Sequence, residues 1–309
     1  MRIAYLILAH ENPAHLEKLV EALAAPSDAI FIHLDAKSDD SRFRRLSSAR
    51  FCARRVPVYW GDFSQVEAIL VLLQDAVRVG FDRYVLLSGS DYPVQPMSYI
   101  RGFLQSHPAT EFINIVSMPS RAAGKPLSLL TKFRHRATTS PFRRALRSGL
   151  VRAGALSRQR DPARGLGGLQ PFAGSTWWAV THPATKFILD FTAARTRFVR
   201  FFHNVTCPDE IFFHTILGNS PFSTRMQPSV TYADWSDGGD SPAYIDGRHL
   251  ELFRAPAPLI QSGAEGTGEY LFARKFSDRR PDIALEVDRI IRARAGSINA
   301  EQEATCKRS

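Results

Sequence analysis

Two acids in the segment CPDEIFFHTIL have residue types and neighbours suited to general-base chemistry. Asp209 and Glu210 follow Pro208 and precede an apolar run that contains Phe212 and Phe213. Proline is favoured in the first helical turn and acids there complement the helix dipole, so a structural role explains both residues. A carboxylate turned inward beside the phenylalanines would instead be partly desolvated, which raises its pKa toward that of a general base. The segment by itself leaves both interpretations open.

Two further segments end an apolar run with small or acidic residues. Asp35 follows such a run in FIHLDAKSD, and Ser88 and Asp91 follow another in YVLLSGSDYPV. A carboxylate at the end of a strand can hydrogen-bond a ribose or the N–H of a base. It can equally cap a helix or lie in solvent. Both segments predict loops that face a ligand in an α/β protein.

Two cations in the C-terminal part of the chain could bind a diphosphate together. They are Arg254 in LELFRAP and Lys275 in LFARKFSD. Guanidinium and ammonium groups bind phosphate oxygens well, although isolated basic side chains are usually solvated. No Asp-x-Asp motif occurs, and many nucleotide-sugar transferases use that motif to hold a divalent cation on the diphosphate. Cations would then have to neutralise the leaving group.

The absence of certain motifs argues against several other classes of site. No Gly-x-Gly-x-x-Gly follows the first apolar segment and no Walker A motif occurs, which argues against a dehydrogenase or a P-loop enzyme. His10, His33 and His214 lack the spacing of metal ligands. Core or capping roles explain these histidines, and no metal site is predicted.

The first 120 residues alternate between strand and helix patterns, as in parallel sheets with crossover helices. The predicted strands cover residues 3–9, 29–34, 56–60, 84–87 and 111–116. The predicted helices cover residues 13–25, 64–79 and 96–105, and Ser64 with Glu67 has the spacing of a capping box. Ligand sites in such folds lie at the carboxyl ends of the strands. The residues expected at that edge are His10, Asp35, Gly61, Asp62 and Ser88–Asp91.

The remainder of the chain completes one predicted α/β domain over residues 1–309. Residues 1–120 form its nucleotide-binding half, 121–170 a basic excursion, and 171–295 the acceptor and catalytic half. Further elements are predicted over residues 141–153, 174–180, 184–200, 208–217 and 281–295. The expected fold class is a mostly parallel central sheet flanked by helices.

Charge is concentrated in one part of the chain. Residues 121–164, here called the basic segment, hold twelve Lys and Arg residues and one acid, a balance of +11 against +10 for the whole chain. Such a segment suits an anionic glycan, an anionic membrane surface or nucleic acid. Nucleic acid is the least favoured because aromatic residues are sparse (Phe133 and Phe142) and no DNA- or RNA-binding motif occurs.

The expected location of the protein is the cytoplasm. Peripheral contact with the inner face of the membrane, through the basic segment, belongs to the same expectation. The three cysteines lack Cys-x-x-Cys spacing, which favours a reducing compartment. The apolar run over residues 3–9 is too short to span a bilayer and indicates a core strand.

These segments, in this order, resemble the core-2/I-branching β-1,6-N-acetylglucosaminyltransferase family, glycosyltransferase family 14, which also contains peptide O-xylosyltransferases. The resemblance rests on AYLILAH, IFIHLDAKS, VYWGDFSQVEA, YVLLSGSDYPV, GSTWWAVT, CPDEIFFHTIL and LFARKF. It implies a GT-A-type α/β fold. Because family members that lack Asp-x-Asp work without metal, it also implies that no divalent metal or other cofactor is needed.

The resemblance implies roles for individual residues. Glu210 matches the catalytic base of the family. Asp35 matches the acid that recognises uridine, with Leu8 of the first strand against it.

On the donor-sugar side, the resemblance implies two further groups. Arg254 and Lys275 match the basic pair that holds the diphosphate. Ser88 and Asp91 belong to the turn that lines the cleft beside the donor sugar, where backbone contacts are an alternative to contacts by the Asp91 side chain.

The implied function is inverting, metal-independent transfer of GlcNAc or xylose from a UDP-sugar to a hydroxyl of a glycan or lipid-linked glycan. A bacterial surface polysaccharide is the expected product. EIFFHTIL is closer to the xylosyltransferase branch and PDE to the GlcNAc-transferase branch, so the donor sugar stays open. Peptide O-xylosyltransferase-like activity and non-catalytic binding of a UDP-sugar or anionic polymer are the alternatives.

Overall fold

A seven-stranded sheet forms the centre of the fold. The computed structural model describes residues 1–43, 46 and 48–306. The strands in these residues are β1 (Ile3–Ala9), β2 (Ala29–Leu34), β3 (Arg50–Phe51), β4 (Arg83–Ser88), β5 (Asp91–Pro93), β6 (Glu111–Ile113), β7 (Val116–Ser117), β8 (Phe172–Ala173), β9 (Trp178–Thr181), β10 (Met226–Gln227), β11 (Thr231–Ala233), β12 (Ile260–Gly263), β13 (Gly266–Glu269) and β14 (Phe272–Arg274).

Helices cover both faces of this sheet. The α-helices in the described residues are α1 (Pro13–Leu23), α2 (Ser64–Val77), α3 (Met97–Ser106), α4 (Ser128–Thr131), α5 (Pro141–Arg152), α6 (Pro162–Leu166), α7 (His182–Ala194), α8 (Thr196–Phe202), α9 (Phe212–Gly218), α10 (Gly247–Arg254) and α11 (Pro281–Cys306). Short 3-10 helices cover Asp40–Phe43, Pro208–Glu210 and Ser223–Arg225. No helix in the described part of the chain is long and apolar enough to cross a membrane.

The strand order of the central sheet is β10–β6–β9–β4–β1–β2–β3. β1 pairs in parallel with β2 and β4, and β2–β3 and β6–β10 are also parallel. β9 is inserted antiparallel to both β4 and β6. The predicted α/β class with a mostly parallel sheet is confirmed.

Alternate side chains of β1 enter two separate hydrophobic clusters, because successive residues of a strand point to opposite faces. Ala4 and Leu6 pack with α2 and α9 on one face. Tyr5 and Ile7 pack with α1 and α11 on the other. Burial on both faces explains why the strand is apolar throughout and ends sharply at a polar residue.

A smaller three-stranded sheet, ordered β11–β14–β5, lies beside the end of β4. β14 pairs in parallel with β11 and antiparallel with β5, and the second pairing places Arg274 opposite Asp91. This sheet therefore brings the C-terminal segment LFARKF next to the turn that follows β4.

Two local predictions are wrong. Residues 56–60 form a loop, and the short edge strand β3 lies at Arg50–Phe51 instead. Pro57 lacks the N–H that a strand needs for its ladder. The capping box is not formed, since α2 has no side-chain cap and Glu67 pairs with Arg136, 2.8 Å between Oε2 and Nη2.

The basic excursion is folded and carries α4, α5 and α6. Its helix at Pro141–Arg152 confirms the one expected over residues 141–153. The backbone N–H of Ala137 donates to Asp62 Oδ2 (3.0 Å), next to the contact between Arg136 and Glu67. These contacts attach the excursion to the start of α2.

Candidate active site

A cleft of about 510 Å³ opens where β1, β2 and β4 end. The structure brings Leu8, Asp35, Ser88, Glu210 and Lys275 together around it. Arg274 and two exposed tryptophans, Trp60 and Trp235, complete its walls. Because parallel strands present their carboxyl ends at one edge, sequence reasoning could anticipate the first three residues as neighbours.

Asp35 lies at the floor of the cleft, directly after β2. Its backbone N–H donates to the carbonyl of Ala9 (2.8 Å), which prolongs the pairing of β1 with β2. Its Oδ1 accepts the backbone N–H of Lys37 (2.8 Å), and Lys37 Nζ lies 3.4 Å from Oδ2. The carboxylate is thus held in place and can accept further hydrogen bonds from a ligand.

The turn after β4 lines the cleft through Ser88, Gly89 and Ser90, whereas Asp91 lies behind it. The Asp91 side chain is fully buried and accepts the backbone N–H (2.9 Å) and hydroxyl (2.6 Å) of Ser88. The expectation that Asp91 lines the cleft is therefore corrected. It closes the turn and shapes the wall from within.

Arg274 is a further cation of the cleft. The sequence motifs had pointed to Arg254 and Lys275 instead. Its side chain is 12% exposed, and its Nε lies 3.6 Å from Asp91 Oδ1. The guanidinium carbon lies 4.1 Å from the Trp177 ring centroid. Burial lowers the pKa of Arg274, and the Asp91 charge opposes that shift. The β5–β14 pairing holds this charge on the cleft wall, a contact that no local pattern encodes.

The two predicted diphosphate ligands do not come together. Lys275 lines the cleft, with Nζ donating to Ser241 Oγ (3.2 Å) and 5.0 Å from the Tyr244 ring centroid. Arg254 is not among the cleft residues: it is exposed on α10, and its guanidinium pairs with Glu251 one helical turn away. Lys275 and Arg274 thus lie at the cleft, whereas Arg254 lies away from it.

Glu210 is presented to the cleft by the 3-10 helix Pro208–Glu210. The preceding Cys207 has φ +49°, a left-handed conformation that is unusual for a residue with a side chain. The Glu210 carbonyl accepts the backbone N–H of Gly174 (2.9 Å). Its Oε2 lies 2.6 Å from Nζ of Lys125, whose side chain is 15% exposed. The basic excursion therefore supplies the partner that orients this carboxylate.

Asp209, the other candidate base, is 6% exposed. Its Oδ2 accepts the hydroxyl of Thr176 (2.6 Å), and Oδ1 has no hydrogen-bond partner among the described residues. Burial and the neighbouring Glu210 charge raise the pKa of Asp209 to about 6. The side chain of Glu210 is more open, at 26% exposure, and is the better placed to meet a substrate.

One part of the cleft carries two adjacent cations that suit an anionic group of a ligand. Arg274 and Lys275 are adjacent in the chain and both line the cleft. Within the described ranges, no cluster of three or more His, Cys, Asp or Glu side chains is arranged to hold a metal ion. The exposed indoles of Trp60 and Trp235 also line the cleft, and its charged residues, among those described, are five acids and three cations: Glu11, Asp35, Asp209, Glu210 and Asp240, with Lys37, Arg274 and Lys275.

Comparison with known proteins identifies a family and several similar sequences. The family model for the Core-2/I-Branching enzyme matches residues 3–253. Xylosyltransferase oxt of Drosophila melanogaster is 24% identical over 239 residues, covering 72% of this chain and 25% of that protein. Xylosyltransferase 2 of Homo sapiens is 24% identical over 250 residues, covering 76% and 27%. The chain spans about a quarter of the length of these relatives.

A solved structure of mouse xyloside xylosyltransferase 1, in its apo form, aligns with 88% of this chain and 97% of its own. The TM-score is 0.37 and the sequence identity 9%.

Proposed function

Because this chain belongs to the Core-2/I-branching enzyme family, we propose that it transfers a sugar from a UDP-sugar to a hydroxyl group of a glycan. One observation carries the proposal. Glu210, Arg274 and Lys275 line the same cleft, at the strand ends where α/β folds bind ligands. A carboxylate can accept the acceptor's proton, and two cations can stabilise a departing diphosphate.

The proposed orientation of the donor follows from the residues that line the cleft. Asp35 and Leu8, at the ends of β2 and β1, contact the nucleoside. Arg274 and Lys275 contact the diphosphate, because an always-charged guanidinium and an ammonium both bind phosphate oxygens strongly. The Ser88 turn then faces the sugar.

The reaction is a single displacement at C1 of the donor sugar. The acceptor hydroxyl forms a bond to C1 while the bond from C1 to the diphosphate oxygen breaks, which inverts the anomeric centre. Glu210 takes the hydroxyl proton, and UDP leaves with the electron pair of the broken bond. Arg274 and Lys275 stabilise the developing charge, so the proposed reaction needs no divalent metal.

The acceptor side is suggested by the two exposed indoles. Trp60 is 63% exposed and Trp235 54%, and both line the cleft. Large apolar rings left in solvent commonly mark a binding surface, and a flat ring suits the apolar face of a sugar. We therefore favour a glycan acceptor, with a lipid-linked glycan of surface polysaccharide synthesis as the specific proposal.

Two donor sugars stay in the proposal. The compared relatives carry the name xylosyltransferase, which favours UDP-xylose. The motif PDE is closer to the GlcNAc-transferase branch of the family, which favours UDP-GlcNAc. A peptide hydroxyl in place of a glycan hydroxyl is the corresponding alternative for the xylose donor.

The test measures UDP release from UDP-xylose and UDP-GlcNAc with EDTA present, for the unmodified protein and for Glu210→Gln. Loss of a positioned base is expected to lower turnover about 10²- to 10⁴-fold while UDP affinity stays unchanged. Glu286→Gln, on the surface of α11, is the control. UDP binding without turnover on any glycan or peptide acceptor would identify a binding protein, and absence of UDP binding would overturn the proposal.

A further inference from the structure

Helix α5 stands on the surface of the molecule without entering its core. None of its residues from Pro141 to Arg152 is buried. Its start is well defined, since the Ser140 side chain accepts the backbone N–H of Arg143 (3.4 Å). A short helix with so little packing is normally polar on its exposed side.

The exposed side of α5 is apolar instead. Phe142, Leu146 and Leu150 are 75%, 52% and 38% exposed. Residues four apart lie above one another on a helix, so these three side chains form one stripe. Leu156, in the turn that follows, is 40% exposed. Four large apolar side chains from one short stretch therefore face solvent.

Cations border this stripe. Arg143 and Arg152 are on α5 itself, and both are exposed. Arg144 and Arg147 make contacts within the basic segment: Arg144 Nε donates to the Thr139 carbonyl (3.0 Å), and the Arg147 guanidinium lies 3.6 Å from the Phe133 ring centroid.

The surrounding charge is almost uncompensated. The basic segment, residues 121–164, holds twelve cations and one acid. Among the described residues, Lys125 and Arg136 are the members of this set that lie within ion-pair distance of a carboxylate. The segment therefore presents positive charge on both sides of an apolar stripe.

We propose that α5 docks the protein on an anionic lipid bilayer, with Phe142, Leu146 and Leu150 inserted between headgroups and the flanking arginines on lipid phosphates. An apolar stripe bordered by cations is the pattern of helices that lie in the membrane interface. The phosphate backbone of a nucleic acid offers no apolar surface against which the leucines could pack. A second copy of the chain would bring two basic segments together, which like-charge repulsion opposes.

The docking surface is separate from the cleft residues and does not depend on transferase activity. It explains why a chain with a near-neutral remainder concentrates its charge in one segment. If the acceptor is lipid-linked, the same contact keeps the enzyme at the surface where that acceptor lies.

The experiment is co-sedimentation of the full chain with vesicles of phosphatidylcholine alone or mixed equally with phosphatidylglycerol. We expect binding to the anionic vesicles and its loss as salt is raised, because salt screens the charges. The double variant Phe142→Ser/Leu146→Ser should bind about tenfold or more weakly, since the apolar stripe is lost. The matched control Ile260→Ser/Leu285→Ser removes two comparably exposed apolar residues elsewhere and should bind normally.

Charge and insertion are tested separately. Arg143→Gln/Arg152→Gln should weaken binding about fivefold for each charge removed. In Phe142→Trp, the added fluorescence should be quenched by lipids brominated on the acyl chains, whereas in Leu285→Trp it should not. Unchanged thermal unfolding of all variants would show that they are folded, as expected for exposed positions.

Four results would overturn the inference. The protein could fail to bind anionic vesicles, or bind them equally well after the α5 substitutions. It could bind neutral vesicles equally well. Analytical ultracentrifugation could show a self-associated protein that the α5 double variant converts to monomer, with no vesicle binding, and the apolar stripe would then be an interface between copies.

Discussion

At the scale of single residues, the contact between Lys125 and Glu210 is the one most directly tied to the proposed chemistry. The two side chains lie 2.6 Å apart, and both are partly shielded from solvent. An ammonium at this distance holds the carboxylate in one orientation, and orientation of a catalytic group contributes substantially to rate. Lys125 is not among the residues that line the cleft, so it acts as a positioning residue.

We predict that Lys125→Met lowers kcat about 10- to 100-fold, because the base loses its orienting partner. UDP affinity should stay the same. Steady-state kinetics and calorimetric UDP titration measure the two quantities. Lys132→Met, an exposed cation of the same segment, is the control. A parallel loss of UDP affinity would show that Lys125 belongs to the donor site instead.

The neighbours Arg274 and Lys275 should respond differently to loss of charge. Arg274→Met leaves the buried Asp91 carboxylate without its cation, so we predict a loss of about 3–5 kcal/mol in the free energy of unfolding. Lys275→Met removes a cation with a hydrogen bond to Ser241 and should leave stability nearly unchanged. Both should weaken UDP binding. Urea unfolding measures the stability of each variant, and titration measures its UDP affinity. Equal stability of the two variants would contradict the stabilising contact between Arg274 and Asp91.

At the scale of elements, the segment between β8 and β9 helps to determine the position of Glu210, the proposed base. Gly174 donates its N–H to the Glu210 carbonyl (2.9 Å). A Cβ at Gly174 would lie 1.7 Å from the backbone carbonyl oxygen of Asn114, which cannot move without shifting the strand end after β6. The segment can therefore approach Glu210 this closely because Gly174 has no side chain.

We predict that Gly174→Ala lowers the free energy of unfolding by at least about 2 kcal/mol and lowers turnover as well. Gly102→Ala is the matched control. Gly102 lies within α3 with open space around it, so alanine there should stabilise the protein by up to about 1 kcal/mol. Thermal and urea unfolding measure both changes. A Gly174→Ala protein as stable as the original would mean that the strand end is free to move.

At the scale of the whole molecule, Asp209 links folding stability to pH. Its folded pKa of about 6 lies above the ordinary value of 3.8. Between these two values the folded state holds a proton that the unfolded state has released. Stability is therefore lost as pH rises through this window and levels off above it. At about 1.4 kcal/mol per pKa unit, the cost at neutral pH is about 3 kcal/mol.

Asp209→Asn removes this cost, since the amide oxygen can still accept the Thr176 hydroxyl. We predict that the variant gains about 3 kcal/mol relative to the original protein between about pH 4 and pH 7. The comparison cancels other titrating groups, including His214, whose pKa burial lowers to about 3. Urea unfolding across pH measures the difference. Asp190→Asn, exposed on α7, is the control, and a difference that does not vary with pH would refute the prediction.

The sequence by itself determined the main parallel strands β1, β2 and β4 and the helices α1, α2 and α3, whereas the strand expected over residues 56–60 is a loop. Burial on both faces makes β1, β2 and β4 apolar throughout, so the polar residues after them stand out as the ligand edge. The resemblance of the ordered motifs to one family pointed to Glu210 and Lys275, and both residues line the cleft. Local pattern and local structure agree in these segments.

The tertiary structure alone decided which distant residues meet. Lys125 reaches Glu210 from the basic excursion, and Arg274 reaches Asp91 across the β5–β14 pairing. Arg254, which the motif order had paired with Lys275, lies on the outside of α10. Each of these outcomes depends on how separate segments pack against one another. Periodicity and spacing report the surroundings of a residue along the chain, whereas contacts between segments follow from the assembled sheet and its flanking helices.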